Sequence, residues 1–268
     1  MSEKKIAVLF GHGINCDWET AQALRDAAAQ VNAQEAIDVQ RVHTNRFISG
    51  PRNLREYQMV VIPGGFLHAD DVAAGKILAG KLKSNLSREI TNFVEDGKLI
   101  LGICNGFQVL TKYPLLSEER KFTLAANDCG RYQDRWVNLK VNSDTPCVYL
   151  RGIDEICLPV RHAEGKFVAG EAALLSLENR GAVALRYSTA EGEPAEGRFP
   201  HNPNGSLHDV AGVCDRTGRI FGLMPHPEAF ITPYQYPGWT RYRRENGLPE
   251  PQGLKIFVNA VNYILEEM

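Results

Sequence analysis

Four short apolar runs, each closed by a turn and separated from the next by a helix-like stretch, constrain the fold more than any other feature of the chain. They span residues 5–10, 37–42, 59–62 and 98–103. Runs this short and this continuous suit strands buried on both faces of a sheet. Between them, 19–31 is rich in Ala, Gln and Leu, and 106–113 opens a further helix. Within 73–94, Ile77, Leu78, Leu82, Leu86, Ile90, Phe93 and Val94 recur at helical spacing. Alternating strand and helix implies an α/β fold, with a mostly parallel central sheet covered by helices on both faces. Ligands of such sheets sit at the carboxyl ends of the strands. Chemistry is therefore expected near Gly64 and near Cys104.

The second half adds β elements. Residues 136–141, 155–160, 181–187 and 219–223 read as strands, and 254–266 as a closing helix with Ile256, Phe257, Ala260, Val261 and Ile264 on one face. Residues 230–253 are rich in Pro, Tyr, Gly and Arg and read as an ordered surface loop, variable between relatives, or a partner contact. There is no internal repeat, and 1–268 reads as a single domain.

The charge balance excludes some function classes. The net charge of −2 provides no global field to recruit nucleic acid or an acidic membrane. Arg241, Arg243 and Arg244 form the clearest cationic cluster, and Glu245 interrupts it. No run approaches the ~20 apolar residues of a membrane span, and the polar start lacks a signal-peptide core. Six cysteines show no C-x-x-C and no zinc-type spacing with histidine. A reduced, cytoplasmic protein without a metal is the expectation.

Gly102-Ile103-Cys104-Asn105-Gly106 lies between an apolar strand and a helix. This is a nucleophile elbow with sulfur in place of oxygen. A sharp turn thrusts the side chain out above the sheet, glycines two residues away avoid collision, and the helix N-terminus favours a thiolate. Cys16, just after the first strand, can face the same rim. Cys129, Cys147, Cys157 and Cys214 read as small packed hydrophobes.

A cysteine nucleophile needs a base with an orienting carboxylate. Met224-Pro225-His226-Pro227-Glu228 supplies one, since residues two apart in an extended segment share a side. Arg161-His162-Ala163-Glu164-Gly165 offers a second His-x-Glu pair, and spacing alone does not separate them. The preceding strand and the flanking prolines favour His226. For the oxyanion of acyl transfer, the amide of Asn105 is one donor and the Gly64-Gly65 loop the other.

These motifs resemble the class I (triad) glutamine amidotransferases. Gln108 matches the glutamine that follows the elbow, His226-Pro227-Glu228 the second motif and Pro63-Gly64-Gly65 the oxyanion strand. With Asn15-Cys16-Asp17, His162-Ala163-Glu164-Gly165 and Asn202-Pro203-Asn204-Gly205-Ser206, the chain is most similar to one branch, the glutaminase subunits of phosphoribosylformylglycinamidine synthases. The resemblance implies a flavodoxin-like fold. Cys104, His226 and Glu228 would be catalytic, Gly64, Gly65, Asn105 and Gln108 would hold oxyanion and substrate, and His162 and Glu164 would be accessory. Glutamine is the implied substrate. The implied partner is a synthetase subunit that uses ATP and Mg²⁺, and a small accessory subunit is compatible with it. No cofactor is expected in this chain. Three features depart from the branch: Gly11-His12-Gly13-Ile14, Ala229 after the His-Pro-Glu motif, and the length of 230–253. They bear on the partner interface. A stand-alone cysteine hydrolase, an inactive regulatory module, and a glutaminase for another acceptor stay open.

Overall fold

A computed structural model describes residues 3–11, 13–66, 75–113, 115–116 and 122–268. Its frame is a nine-stranded sheet. The first half of the chain runs β1 (Lys4–Phe10), α1 (Asp17–Gln30), β2 (Ile37–His43), α2 (Thr44–Ser49), β3 (Met59–Ile62), α3 (Lys76–Glu95), β4 (Leu99–Ile103) and α4 (Asn105–Lys112). The chain then makes a long β-rich excursion: β5 (Phe122–Ala126), β6 (Gln133–Val141), β7 (Glu155–His162), β8 (Glu164–Ala169), α5 (Glu171–Glu178), β9 (Val183–Ser188) and β10 (Val210–Cys214). It returns as β11 (Ile220–Leu223) and ends in α6 (Trp239–Asn246) and α7 (Leu254–Glu267).

The strand order is β2-β1-β3-β4-β11-β10-β9-β6-β7. From β2 to β11 all neighbours are parallel. From β11 to β7 all are antiparallel. The sheet is thus a parallel half extended by an antiparallel half, and β5 and β8 form a separate ribbon. In β1, β3 and β4 the central residues are buried without alternation, as strands covered on both faces require.

The return of β11 matters most for the site. It pairs with β4 in the register Leu223↔Ile103. Both strands therefore end at the same level, and the segments leaving their carboxyl ends lie side by side. Residues 104 and 226 meet for this reason, although the whole β excursion separates them in sequence.

α7 closes the core. Ile256, Phe257, Ala260, Val261 and Ile264 are fully buried along one stripe. The first two residues of the helix expected over 73–94 lie outside the described residues, and its described part begins at Lys76. Residues 230–253, expected as a loop, carry a 3-10 turn (Pro233–Gln235) and α6. Edge-to-face contacts order this segment. Trp136 on β6 meets Phe230 at 5.0 Å and Tyr236 at 5.3 Å, and Tyr236 meets Tyr242 at 5.6 Å. No helix of the described residues is long and apolar enough to cross a membrane.

Candidate active site

The sequence Gly102–Gly106 folds as a sharp turn between β4 and α4. Cys104 sits at φ 51° and ψ −104°, a conformation that costs a non-glycine residue energy and persists only where its surroundings hold it. They hold it firmly. The Cys104 amide donates to Leu223 O at 2.7 Å, and its carbonyl accepts from the Gln108 amide at 3.1 Å. A Cβ at Gly102 would come within 2.7 Å of the Gly106 carbonyl, and one at Gly106 would drive into the carbonyl of Ile62. Both glycines are thus dictated by contact. The thiol itself lies 3.6 Å from the Arg161 carbonyl at the end of β7.

Beyond β11, the His226 amide donates to Pro159 O at 2.8 Å and ties the segment to β7. The ring is 2% exposed, as is Glu228. Nδ1 of His226 meets Oε1 of Glu228 at 2.5 Å, which leaves Nε2 for chemistry. Burial works against the charged imidazole. The Glu228 carboxylate and the negative charge available to Cys104 outweigh it and raise the pKa well above its ordinary value. The ring is therefore a stable proton carrier beside the sulfur.

The loop after β3 forms the third wall. Ile14 and Gly65 form an isolated antiparallel bridge, and Phe66 N donates to Gly13 O at 2.7 Å. The amides of Asn15 and Cys16 both approach Gly64 O, at 3.4 and 3.3 Å. A Cβ at Gly64 would stand 2.7 Å from His226 Cε1 and 3.4 Å from Cys104 Cβ. Glycine there lets the backbone lie directly against nucleophile and base, as an oxyanion loop requires.

The second His-x-Glu motif is built differently. β7 ends at His162 and β8 begins at Glu164. The chain turns at Ala163, so the alternation that would put both side chains on one side is broken. His162 Nδ1 pairs instead with Asn127 Oδ1 at 3.1 Å. Asn127 donates through Nδ2 to the His162 and Arg131 carbonyls, so its Oδ1 accepts and His162 Nδ1 carries the proton. Burial, helped by the nearby His226, lowers the His162 pKa to about 3. A neutral imidazole without a carboxylate is a poor general base, and the ambiguity between the two motifs resolves towards His226.

Glu164 reaches the elbow through its backbone alone. Gln108 Nε2 donates to Glu164 O at 2.6 Å, and Gln108 Oε1 accepts from Asn105 Nδ2 at 2.9 Å. Gln108 is thus a strut from the elbow helix to β8. The Asn202–Ser206 turn braces the same region. Asn204 Nδ2 donates to Gly165 O and Tyr187 OH, and Ser206 Oγ accepts from Phe167 N. Sequence reasoning does not find Asn127 or Tyr187 here, because an isolated Asn or Tyr carries no motif. It places Cys16 only on the rim, whereas the Cys16 sulfur, a His226 ring nitrogen and a Glu228 oxygen lie within 4.8 Å of one another.

A sulfur on a strained elbow, facing a carboxylate-held imidazole at the carboxyl edge of a parallel sheet, defines a cysteine amidohydrolase of the triad glutamine amidotransferase class. The model of the CobB/CobQ-like glutamine amidotransferase domain matches residues 3–264. The PurQ subunit of phosphoribosylformylglycinamidine synthase from Methanococcus maripaludis is 41% identical, over 97% of either chain. That of Dehalococcoides mccartyi is 39% identical, over 98% of either chain. This chain belongs to the CobB/CobQ-like glutamine amidotransferases, within their PurQ branch. Among solved structures, that of PurLQS from Thermotoga maritima matches with a TM-score of 0.68 and 28% identity, over 98% of this chain and 100% of that one. The glutaminase domain of Trypanosoma brucei CTPS, solved with bound acivicin, shares the fold with a TM-score of 0.54 and 13% identity, over 97% of this chain and 94% of that one.

Proposed function

We infer that this chain is the glutaminase subunit of a phosphoribosylformylglycinamidine synthase, in de novo purine synthesis. The observation that carries the reading is the 2.5 Å His226–Glu228 pair beside the Cys104 elbow, in a chain so similar to PurQ subunits along its whole length. The Cys104 thiolate attacks the side-chain amide of glutamine. The amides of Gly65 and Asn105 receive the oxyanion, and imidazolium His226, oriented by Glu228, protonates the departing nitrogen. A water activated by neutral His226 then cleaves the thioester and releases glutamate.

These steps need no metal or cofactor from this chain. The ammonia passes to a synthetase subunit, which spends ATP with Mg²⁺ to make the amidine, and a small accessory subunit completes such an assembly. Ammonia loses its nucleophilicity on protonation, so delivery is shielded between subunits. Residues 1–268 act as one glutaminase domain, and the site of action is the cytoplasm.

The test mixes the chain with a synthetase subunit and compares glutamine with ammonium chloride as nitrogen source. Cys104→Ala is expected to abolish synthesis from glutamine and leave ammonium use intact. A mixture that never uses glutamine would refute the purine assignment.

A further inference from the structure

Residues from three distant parts of the chain converge on one ring nitrogen. Cys16 caps α1, Cys104 tops the elbow, and His226 lies just beyond β11. Nδ1 of His226 is committed to Glu228. Nε2 is buried without a hydrogen-bond partner among the described residues, and both thiols flank the ring. The Cys16 sulfur, a His226 ring nitrogen and a Glu228 oxygen fall within 4.8 Å of one another. Cys16 is part-exposed and gives this cluster an entrance from solvent.

The donor set has a definite chemistry. An imidazole held by a carboxylate at one nitrogen and offering the other is how proteins prepare histidine for a metal. Two sulfurs and one such nitrogen suit a soft or borderline divalent cation, with a fourth position left for water. A hard cation that prefers oxygen, such as Mg²⁺, has no comparable donors here. No spacing in the sequence announces this set, because the fold alone assembles it. We propose that Cys16, Cys104 and His226 form a binding site for a soft divalent cation of the zinc type, seated on the nucleophile. Binding displaces the thiol protons to solvent, forms two metal–sulfur bonds and one metal–nitrogen bond, and needs no oxidant. While bound, the cation takes both the nucleophile and the base out of use.

The effect on catalysis rests on the glutaminase reading, but the binding does not, so the two are measured separately. The full chain is titrated with Zn²⁺ against a chromophoric chelator, and with Co²⁺ to read sulfur-to-cobalt charge transfer. Cys16→Ser and Cys16→Ala are compared with a Cys129→Ser control. Cys16 holds its place through its own backbone, accepting from Thr20 Oγ1 and donating to Gly64 O, so its variants keep those contacts. The expected result is one equivalent bound, with both Cys16 variants weakened at least about tenfold and the control unchanged. Zn²⁺ should also protect Cys104 from iodoacetamide. Unchanged affinity in both Cys16 variants, a cobalt spectrum without the sulfur band, or unprotected Cys104 would each overturn the site. With the synthetase present, Zn²⁺ should suppress synthesis from glutamine and spare synthesis from ammonium. If the binding results hold while glutamine use is absent even without Zn²⁺, the glutaminase reading fails and the cation site stands.

Discussion

Two histidines about equally buried are driven to opposite protonation states, and the difference lies in what meets Nδ1. His226 meets a carboxylate, and His162 meets an amide oxygen. The charge of Glu228 is what lets a buried imidazole keep its proton. Glu228→Gln keeps the shape and removes the charge. It is expected to lower kcat for glutamine hydrolysis by roughly 100- to 10,000-fold, with little change in KM, in steady-state assays with the synthetase present. A kcat within a few-fold of the parent would mean that Glu228 does not orient the base. His162 makes the opposite prediction for stability. Unfolded, it takes up a proton near 6.5, but folded it resists protonation until about 3. The unfolded chain therefore binds more protons between those values. The contribution of His162 is complete above about pH 6.5 and falls away as the pH drops towards 3. His162→Asn retains an N–H for Asn127 but cannot titrate, so its urea midpoint should depend less on pH than the parent's between pH 6.5 and 4. Parallel pH profiles for the two proteins would contradict the neutral, buried assignment.

At the scale of elements, contact decides which glycines matter. Gly106 opens α4 against β3, and a methyl there collides with the Ile62 carbonyl, a backbone atom that cannot swing aside. Gly80, within α3, would place its methyl in open space. Gly106→Ala should cost about 1–3 kcal/mol or more, while Gly80→Ala should gain about 0.5–1 kcal/mol from helix propensity. Denaturant titration of both variants checks the sign as well as the size, and destabilisation by Gly80→Ala would contradict the open space at that position. The same distinction explains what is legible in the sequence. The parallel strands announce themselves because burial on both faces leaves an unbroken apolar run, and α3 because it is long enough to show its period. The ribbon strands β5 and β8, the short helices α2, α5 and α6, and β10 are not legible there. Each is 5 to 8 residues long, too short to establish a period, and tertiary contacts fix its state. The Cys104 elbow and the His226-Pro-Glu228 motif can be read because each is local. The approach of Cys16 cannot, since it depends on the Gly64 loop that clasps residues 15 and 16.

Considered whole, the molecule is a parallel sheet that leaves its own plan after α4 and comes back at β11 to complete the site. Everything between serves that return: β6, β7, β9 and β10 extend the sheet, and the braced Asn202–Ser206 turn holds the β8 end against the elbow. The segment 230–253 does no comparable work. It leaves the sheet directly after the His226 motif and rejoins it at α7, and its two ends are joined by one hydrogen bond, Gly253 N to Phe230 O at 3.0 Å. Gln252 adds a tie to β7 through Cys157 N at 2.6 Å. Gly253 must stay a glycine, because a Cβ there would meet the Pro227 carbonyl next to the catalytic motif. An excursion whose ends already touch can be removed without moving its flanks. Replacing residues 233–250 by a short Gly-Ser turn should therefore leave a cooperatively folded chain, with some stability lost because Trp136 no longer packs on Tyr236. Its Cys104 should be alkylated by iodoacetamide at the parent's rate. Loss of cooperative unfolding, or a changed alkylation rate, would show that the segment supports the site itself. If both are retained while glutamine-dependent synthesis falls and ammonium-dependent synthesis does not, the segment acts in coupling to the synthetase.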